Sequence, residues 1–261
     1  MKTFACWLVG TTLAVATATT NAEEIAVGNY GVSANGMPVG VARHKGYFKE
    51  EGRNITGLIS SAGGGTSLRN MLAGGGVPYG EVNPGVVVSA ILAGADLKIV
   101  SDNVLTVAEF VWAVKPDSPI KSLKDFKGKK IGYTNPRSTS QALARMLLQA
   151  GGYSEADAEL VKTGGFGEGI AALDSGQIDV AAITEPLWSK VKHKYRAVVV
   201  ASETLPPLDN VVGVTTVEMA EKKGDFIRAV IRARRKAVIF MRDNPDEAAA
   251  IVAKEYNIDL D

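Results

Sequence analysis

The segments LAGGGVPYGEVNP (residues 72–84) and LDSGQIDVAAITEP (residues 173–186) superimpose at an offset of 101 positions. Leu72 falls on Leu173, Gly75 on Gly176, Val77 on Ile178 and Gly80 on Ala181. In each copy a helix ends at glycine, which tolerates the left-handed cap, and a buried strand follows and runs out into a polar loop. The opening strands echo too, Ile25 against Ile131. Two helix–strand units can resemble each other through architecture alone, but a true repeat means two similar α/β lobes. Two such lobes facing each other enclose a cleft.

Periodicity supports the α/β reading. Short apolar strands at residues 25–29, 55–60, 131–134, 180–183 and 197–201 alternate with helical stretches. Ligands of such sheets bind outside the carboxyl ends of the strands, so six strand exits are candidate cleft walls. They are NYGVSANGM (29–37), SSAGGGTS (60–67), YGEVNP (79–84), TNPRSTSQ (134–141), GGFGEG (164–169) and ITEPLW (183–188).

The residue types in these loops suggest roles. Gly64 and Gly65, with the helix start marked by Thr66 or Ser67, allow close backbone approach to a ligand at a helix N-terminus. The lysine that a nucleotide-binding loop would carry after its last glycine is not there. In the second half, Pro136 blocks helix before it, while Ser138 and Thr139 begin one; Arg137 beside those unpaired N–H groups is a candidate clamp for an acidic group. Tyr30, Tyr79, Phe166 and Trp188 are candidate apolar walls, and Ser33, Asn35, Asn83 and Asn135 candidate polar contacts. Glu81 and Glu185 would repel a bare inorganic anion and favour an amine or ring N–H, which disfavours nitrate.

Composition narrows the class further. With 261 residues, 46% hydrophobic and 22% charged, the chain is long enough for one large domain or two small ones. Lys2 is followed by TFACWLVGTTLAVATATTNA, an apolar, threonine-rich run ending in small residues, and this reads as a secretory leader cleaved after Ala22. Losing Lys2 with the leader brings 29 basic against 28 acidic residues to balance, so nucleic acid is not an expected partner. Cys6 lies within the leader, leaving a mature chain without thiols, which suits an exported compartment. His44 and His193 are too few and too far apart to suggest zinc and are expected on the surface.

Three ordered segments carry a family resemblance: MPVGVARHKGYFKEEGRNI (37–55), SLKDFKGKKIGY (122–133) and LDSGQIDVAAITEP. Together they resemble the periplasmic substrate-binding proteins for sulfonates, nitrate, taurine and thiamine precursors, from about residue 23 onward. The resemblance implies a two-lobed, type II periplasmic-binding-protein fold, each lobe a mixed sheet flanked by helices with the ligand cleft between them. It implies a monomer that hands a small molecule to an ABC permease and ATPase, with no cofactor and no catalysis. Lobe one is expected over residues 23–105 and 213–261, lobe two over 115–205, with crossovers at 106–114 and 206–212. The chain departs from the family pattern at Pro78, Tyr79 and Gly80, where an acidic residue and a small apolar pair are usual, and at GRNI, where GLDV or similar is common. Relatives also commonly continue past the position of Asp261.

Two enzyme readings are weaker. Pyrimidine-precursor synthases resemble the same family but look to need a cysteine-rich motif. The penicillin-recognising signatures SPIK (118–121), SDN (101–103) and KTG (162–164) occur in the wrong order.

Overall fold

A computed structural model describes residues 22–61, 64–73 and 76–258, so the expected leader, with Cys6, lies outside the described residues. The strands are β1 (Glu23–Val27), β2 (Ile55–Ile59), β3 (Gly80–Val82), β4 (Leu97–Val104), β5 (Phe110–Val114), β6 (Lys130–Tyr133), β7 (Glu159–Lys162), β8 (Ala181–Thr184), β9 (Arg196–Val200) and β10 (Val211–Thr216).

These strands fall into two groups with one topology. The first sheet runs β2-β1-β3-β10-β4, with β1 parallel to both neighbours and β10 antiparallel to β3 and β4. In the second group β5 is antiparallel to β8 and β9, and β6 is parallel to β7. A parallel bridge between Ile131 and Val180 joins the two pieces, with Gly132 N–H on the Val180 carbonyl at 2.8 Å. The combined order β7-β6-β8-β5-β9 therefore repeats the first. The fold is that of a two-lobed periplasmic binding protein, and the chain passes between lobes after β4 and again after β9.

Period-two burial explains why both sheets are covered on both faces. Ile25 and Val27 enter one core and Ala26 the other. In the central strand β5, Phe110, Trp112 and Val114 face one helix layer while Val111 and Ala113 face the opposite one. The helix Gly224–Asp243 covers the first sheet with Phe226, Val230, Ala233 and Ala237, spaced one helical turn apart.

Three sequence expectations need correction. The first strand stops at Val27, because Asn29 takes a left-handed φ of 54° and turns the chain out of the sheet. Glu81 lies within β3, held between β1 and β10, so YGEVNP is largely strand rather than exit loop. The helix expected to begin at Thr66 or Ser67 begins at Gly64, placing both residues in its first turn.

Candidate functional site

Four helices point their N-termini at one enclosed space between the lobes. They are Gly64–Leu72 and Pro84–Leu92 from the first lobe, and Thr139–Ala150 and Phe166–Asp174 from the second. Gly64, Asn83, Ser138, Thr139, Ser140 and Phe166 line the space, with Gly28, Asn29, Ser33 and Asn35 from the loop after β1, Asn210 from the second crossover, and Phe110 and Val211 from the first residues of β5 and β10. The first N–H groups of each helix have no intrahelical acceptor, and the helix dipole leaves about half a positive charge there. Such a convergence attracts an anion.

Local chemistry fixes these ends. Asn83 Oδ1 accepts from Val86 N–H at 3.0 Å with Pro84 at the first helical position, and Ser138 Oγ accepts from Gln141 N–H at 3.2 Å. Behind Ser138 lies a hydroxyl chain. Ser140 Oγ is 2.9 Å from Ser138 Oγ and 3.0 Å from Thr134 Oγ1, and it also accepts from Thr134 N–H at 3.0 Å. Three hydroxyls carry three protons and the two mutual contacts use two, which leaves one for another acceptor.

The cavity holds about 40 Å³, room for a small head group and no organic tail. Next to it, sharing Asn29, Thr134 and Phe166, lies a channel of about 430 Å³ bordered by Tyr30, Val32, Asn135, Gly167 and Leu187. No lysine or arginine lines either space among the described residues.

The lobes are in contact around this space. Ala34 N–H donates to the Glu185 carbonyl at 3.0 Å, and Ser33 pairs with Pro186 as an antiparallel bridge. The two crossovers are tied together where Asn210 Nδ2 donates to Glu109 Oε1 at 2.5 Å, and Ser33 Oγ donates to Glu109 Oε2 at 3.1 Å. Burial holds the Glu109 carboxyl above the ordinary glutamate range, against those hydrogen bonds.

Of the residues singled out from sequence, Ser33, Asn35, Gly64, Glu81, Asn83, Ser138, Thr139 and Phe166 border the cavity, and Tyr30, Asn135 and Phe166 border the channel. Several do other work than expected. The Glu81 carboxylate turns into the first-lobe core, where Arg234 Nε donates to both its oxygens. Tyr79 is fully buried beside it, accepting from Asn103 Nδ2 at 2.8 Å. Tyr30 donates to Glu255 at 2.7 Å and packs edge-on to Tyr256, so its hydroxyl is committed to the first lobe. Asn135 Nδ2 donates to the Gly164 carbonyl at 2.6 Å, fixing the two second-lobe loops to each other.

Five further expectations are displaced from the lining. Thr66 is exposed and accepts from Arg69 at 2.9 Å, and Gly65 lies behind Gly64 in the first turn. Glu185 caps the next turn, accepting from Ser189 N–H at 3.0 Å, while Trp188 packs against the second-lobe core and Leu187 takes the channel position. Arg137 is exposed with a left-handed φ of 65°, and its N–H donates to Gln141 Oε1 at 2.7 Å. Arg137 is not among the residues that line the cavity or the channel. Sequence reasoning missed Phe110 and Asn210, because neither a strand start nor a crossover carries a strand-exit signature; their signal was only the position next to the passages between lobes.

The profile of the "NMT1/THI5 like" family matches residues 33–248. A protein of Escherichia coli (strain K12) named for aliphatic sulfonate binding is 26% identical over 195 residues, which cover 74% of this chain and 60% of that one. The chain thus spans less than two thirds of that relative. The crystal structure of the periplasmic aliphatic sulphonate binding protein from Escherichia coli superimposes with a TM-score of 0.77 at 22% identity, over 91% of this chain and 79% of that one. The alkanesulfonate-binding protein from Xanthomonas axonopodis pv. citri, bound to MOPS, gives a TM-score of 0.78 at 19% identity, over 91% and 80%.

Proposed function

Because the chain belongs to the NMT1/THI5-like family, we propose that it is the solute-binding component of an ABC importer and captures a small organic anion, a sulfonate or carboxylate, in the inter-lobe cleft. One observation carries the reading: four helix N-termini from two lobes meet at a small polar cavity whose lining has no basic side chain among the described residues. A single negative head group suits about half a positive charge per helix end. The adjoining channel, walled by Phe166 and Leu187, suits an organic tail and so favours a taurine-like or longer sulfonate over nitrate.

In this reading the lobes keep the expected outline with two shifts, since β5 from residue 110 belongs with lobe two and β10 from residue 211 with lobe one, and the shortened crossovers between them flex so that an open form admits the ligand and a closed form is read by the permease. The protein works as a monomer in the periplasm after its leader is removed. The names of its relatives support this placement.

A thermal-shift series with ethanesulfonate, taurine, MOPS, acetate and nitrate tests the proposal. A ligand at 100 times its dissociation constant stabilises by about 2.7 kcal/mol. Stabilisation by at least one organic sulfonate or carboxylate, and less by nitrate, is expected. Stabilisation by none of the organic anions would overturn the reading.

A further inference from the structure

Glu109 is a half-buried acid that the anion reading does not use. It stands at the end of the first crossover, and its two oxygens accept from Ser33 Oγ and Asn210 Nδ2. Asn210 also donates to Asn35 Oδ1 at 3.3 Å, and Ser33 Oγ accepts from Asn35 N–H at 3.2 Å. Ser33, Asn35 and Asn210 all line the cavity. Glu109 is therefore one side chain removed from the ligand space and organises a whole wall of it.

Both Glu109 oxygens receive neutral donors, which favour the ionised carboxylate, while burial opposes it more strongly and moves its ionisation to higher pH. Among the described residues no lysine, arginine or histidine forms an ion pair with it, in contrast to Glu81, whose charge Arg234 balances. Burial raises the pKa of Glu109, so above that raised value a negative charge without a cationic partner among the described residues sits behind a cavity that attracts anions only through helix ends.

We infer that Glu109 determines the charge selectivity of the site, admitting singly charged head groups and rejecting dianions of the same shape. The inference rests on the anion-binding reading above. Repulsion between a fixed charge and a ligand scales with ligand charge. If removing the Glu109 charge strengthens binding of a monoanion by some factor, it strengthens binding of a dianion by about the square of that factor. A purely structural role moves both ligands together.

The test is calorimetry of full-length protein and Glu109→Gln with methanesulfonate and with sulfate, which share a tetrahedral oxyanion head and differ by one charge. Glutamine keeps an acceptor for Asn210 Nδ2 and presents its amide N–H to the Ser33 hydroxyl oxygen, which can accept as well as donate. The expected result is a gain of about tenfold for methanesulfonate and about a hundredfold for sulfate. Equal changes in the two affinities, or a loss in both with an unchanged melting temperature, overturn the role of Glu109 while leaving the anion reading standing. If neither protein binds methanesulfonate, ethanesulfonate, taurine, MOPS or acetate, the anion reading falls and this inference with it.

Discussion

Arg234 Nε lies 2.9 Å from Glu81 Oε1 and 3.1 Å from Glu81 Oε2, and the two residues are only 6% and 1% exposed. The pair joins the longest helix of the first lobe to the strand whose end borders the cavity. One guanidinium nitrogen, Nη2, is buried without a hydrogen-bond partner. Removing one member strands a buried charge, whereas replacing both with apolar groups removes the desolvation cost along with the attraction. Glu81→Ala should destabilise by about 3 to 5 kcal/mol, and the double change Glu81→Leu with Arg234→Met by far less. Urea midpoints of the three proteins measure this, and a single variant no weaker than the double one would refute it.

Gly213 in β10 should accept no side chain. A Cβ there would meet Tyr79 Oη at 2.6 Å and Tyr79 Cε2 at 2.8 Å, and would collide with Ser101 Oγ. Tyr79 is fully buried and cannot yield. Gly213→Ala should cost about 1 to 3 kcal/mol as an overpacked core. Combining it with Tyr79→Phe should recover part of the loss in the same denaturation assay, since the hydroxyl is one of the crowded atoms.

Gly64 and Asn83 form a second close approach, this time at the cavity. A Cβ on Gly64 would collide with Asn83 Nδ2. Because Asn83 caps the helix Pro84–Leu92, displacing its amide frees Val86 N–H as well. Gly64→Ala should lose about 1 kcal/mol of stability, the value of a cap, and weaken anion binding at least tenfold by moving two helix ends together. Asn83→Ala with Gly64 intact should show the stability loss with the smaller effect on affinity. Affinities in the opposite order would count against the convergence of helix ends as the anion site.

Arg137 tests the rim. An L-residue in the left-handed region costs about 1 to 2 kcal/mol, which glycine avoids. Arg137→Gly should therefore raise the melting temperature while leaving anion affinity within about threefold at physiological salt, since an exposed charge is screened. Loss of about 2 kcal/mol or more of binding energy, the signature of a buried charge-assisted contact, would restore the clamp role expected from sequence.

The Glu109 carboxyl, raised by burial, gives stability a definite pH trend. Its native form holds a proton at pH values where the unfolded chain has released it. Stability from this group is thus fully present below the unfolded glutamate pKa of about 4.3 and is lost as pH rises through the native value. Glu109→Gln should flatten that decline. Denaturation midpoints between about pH 4 and pH 7 compare the slopes; a wild-type midpoint that climbs relative to the variant over this range would show the opposite shift.

How far the sequence led can be traced residue by residue. The echo between residues 72–84 and 173–186 was legible because β3 and β8 occupy the same place in their sheets and need the same small, apolar residues. Ser138 was legible because a cap follows local chemistry, and its hydroxyl does bind Gln141 N–H. Glu81 and Tyr79 were misread because strand alternation decides which way each points, and that depended on a strand three residues long flanked by partners distant in sequence. Arg137 was misread for a smaller reason: one positive φ redirects a side chain, and nothing in TNPRSTSQ announces it. Glu109 and Asn210 were invisible, since their meeting depends on two crossovers about a hundred residues apart in the chain.

The placement of β10 between β3 and β4 has a bearing on how the molecule comes into being. The second-lobe sheet draws all its strands from residues 110–200, so it can be completed once that stretch has left the ribosome. The first-lobe sheet begins earlier, yet its interior strand is the last of all to be made, and until Val211–Thr216 arrives the facing edges of β3 and β4 have no partner. The lobe begun first is finished last. Until then, that pair of open edges is the part of the chain most in need of shelter from other copies of itself.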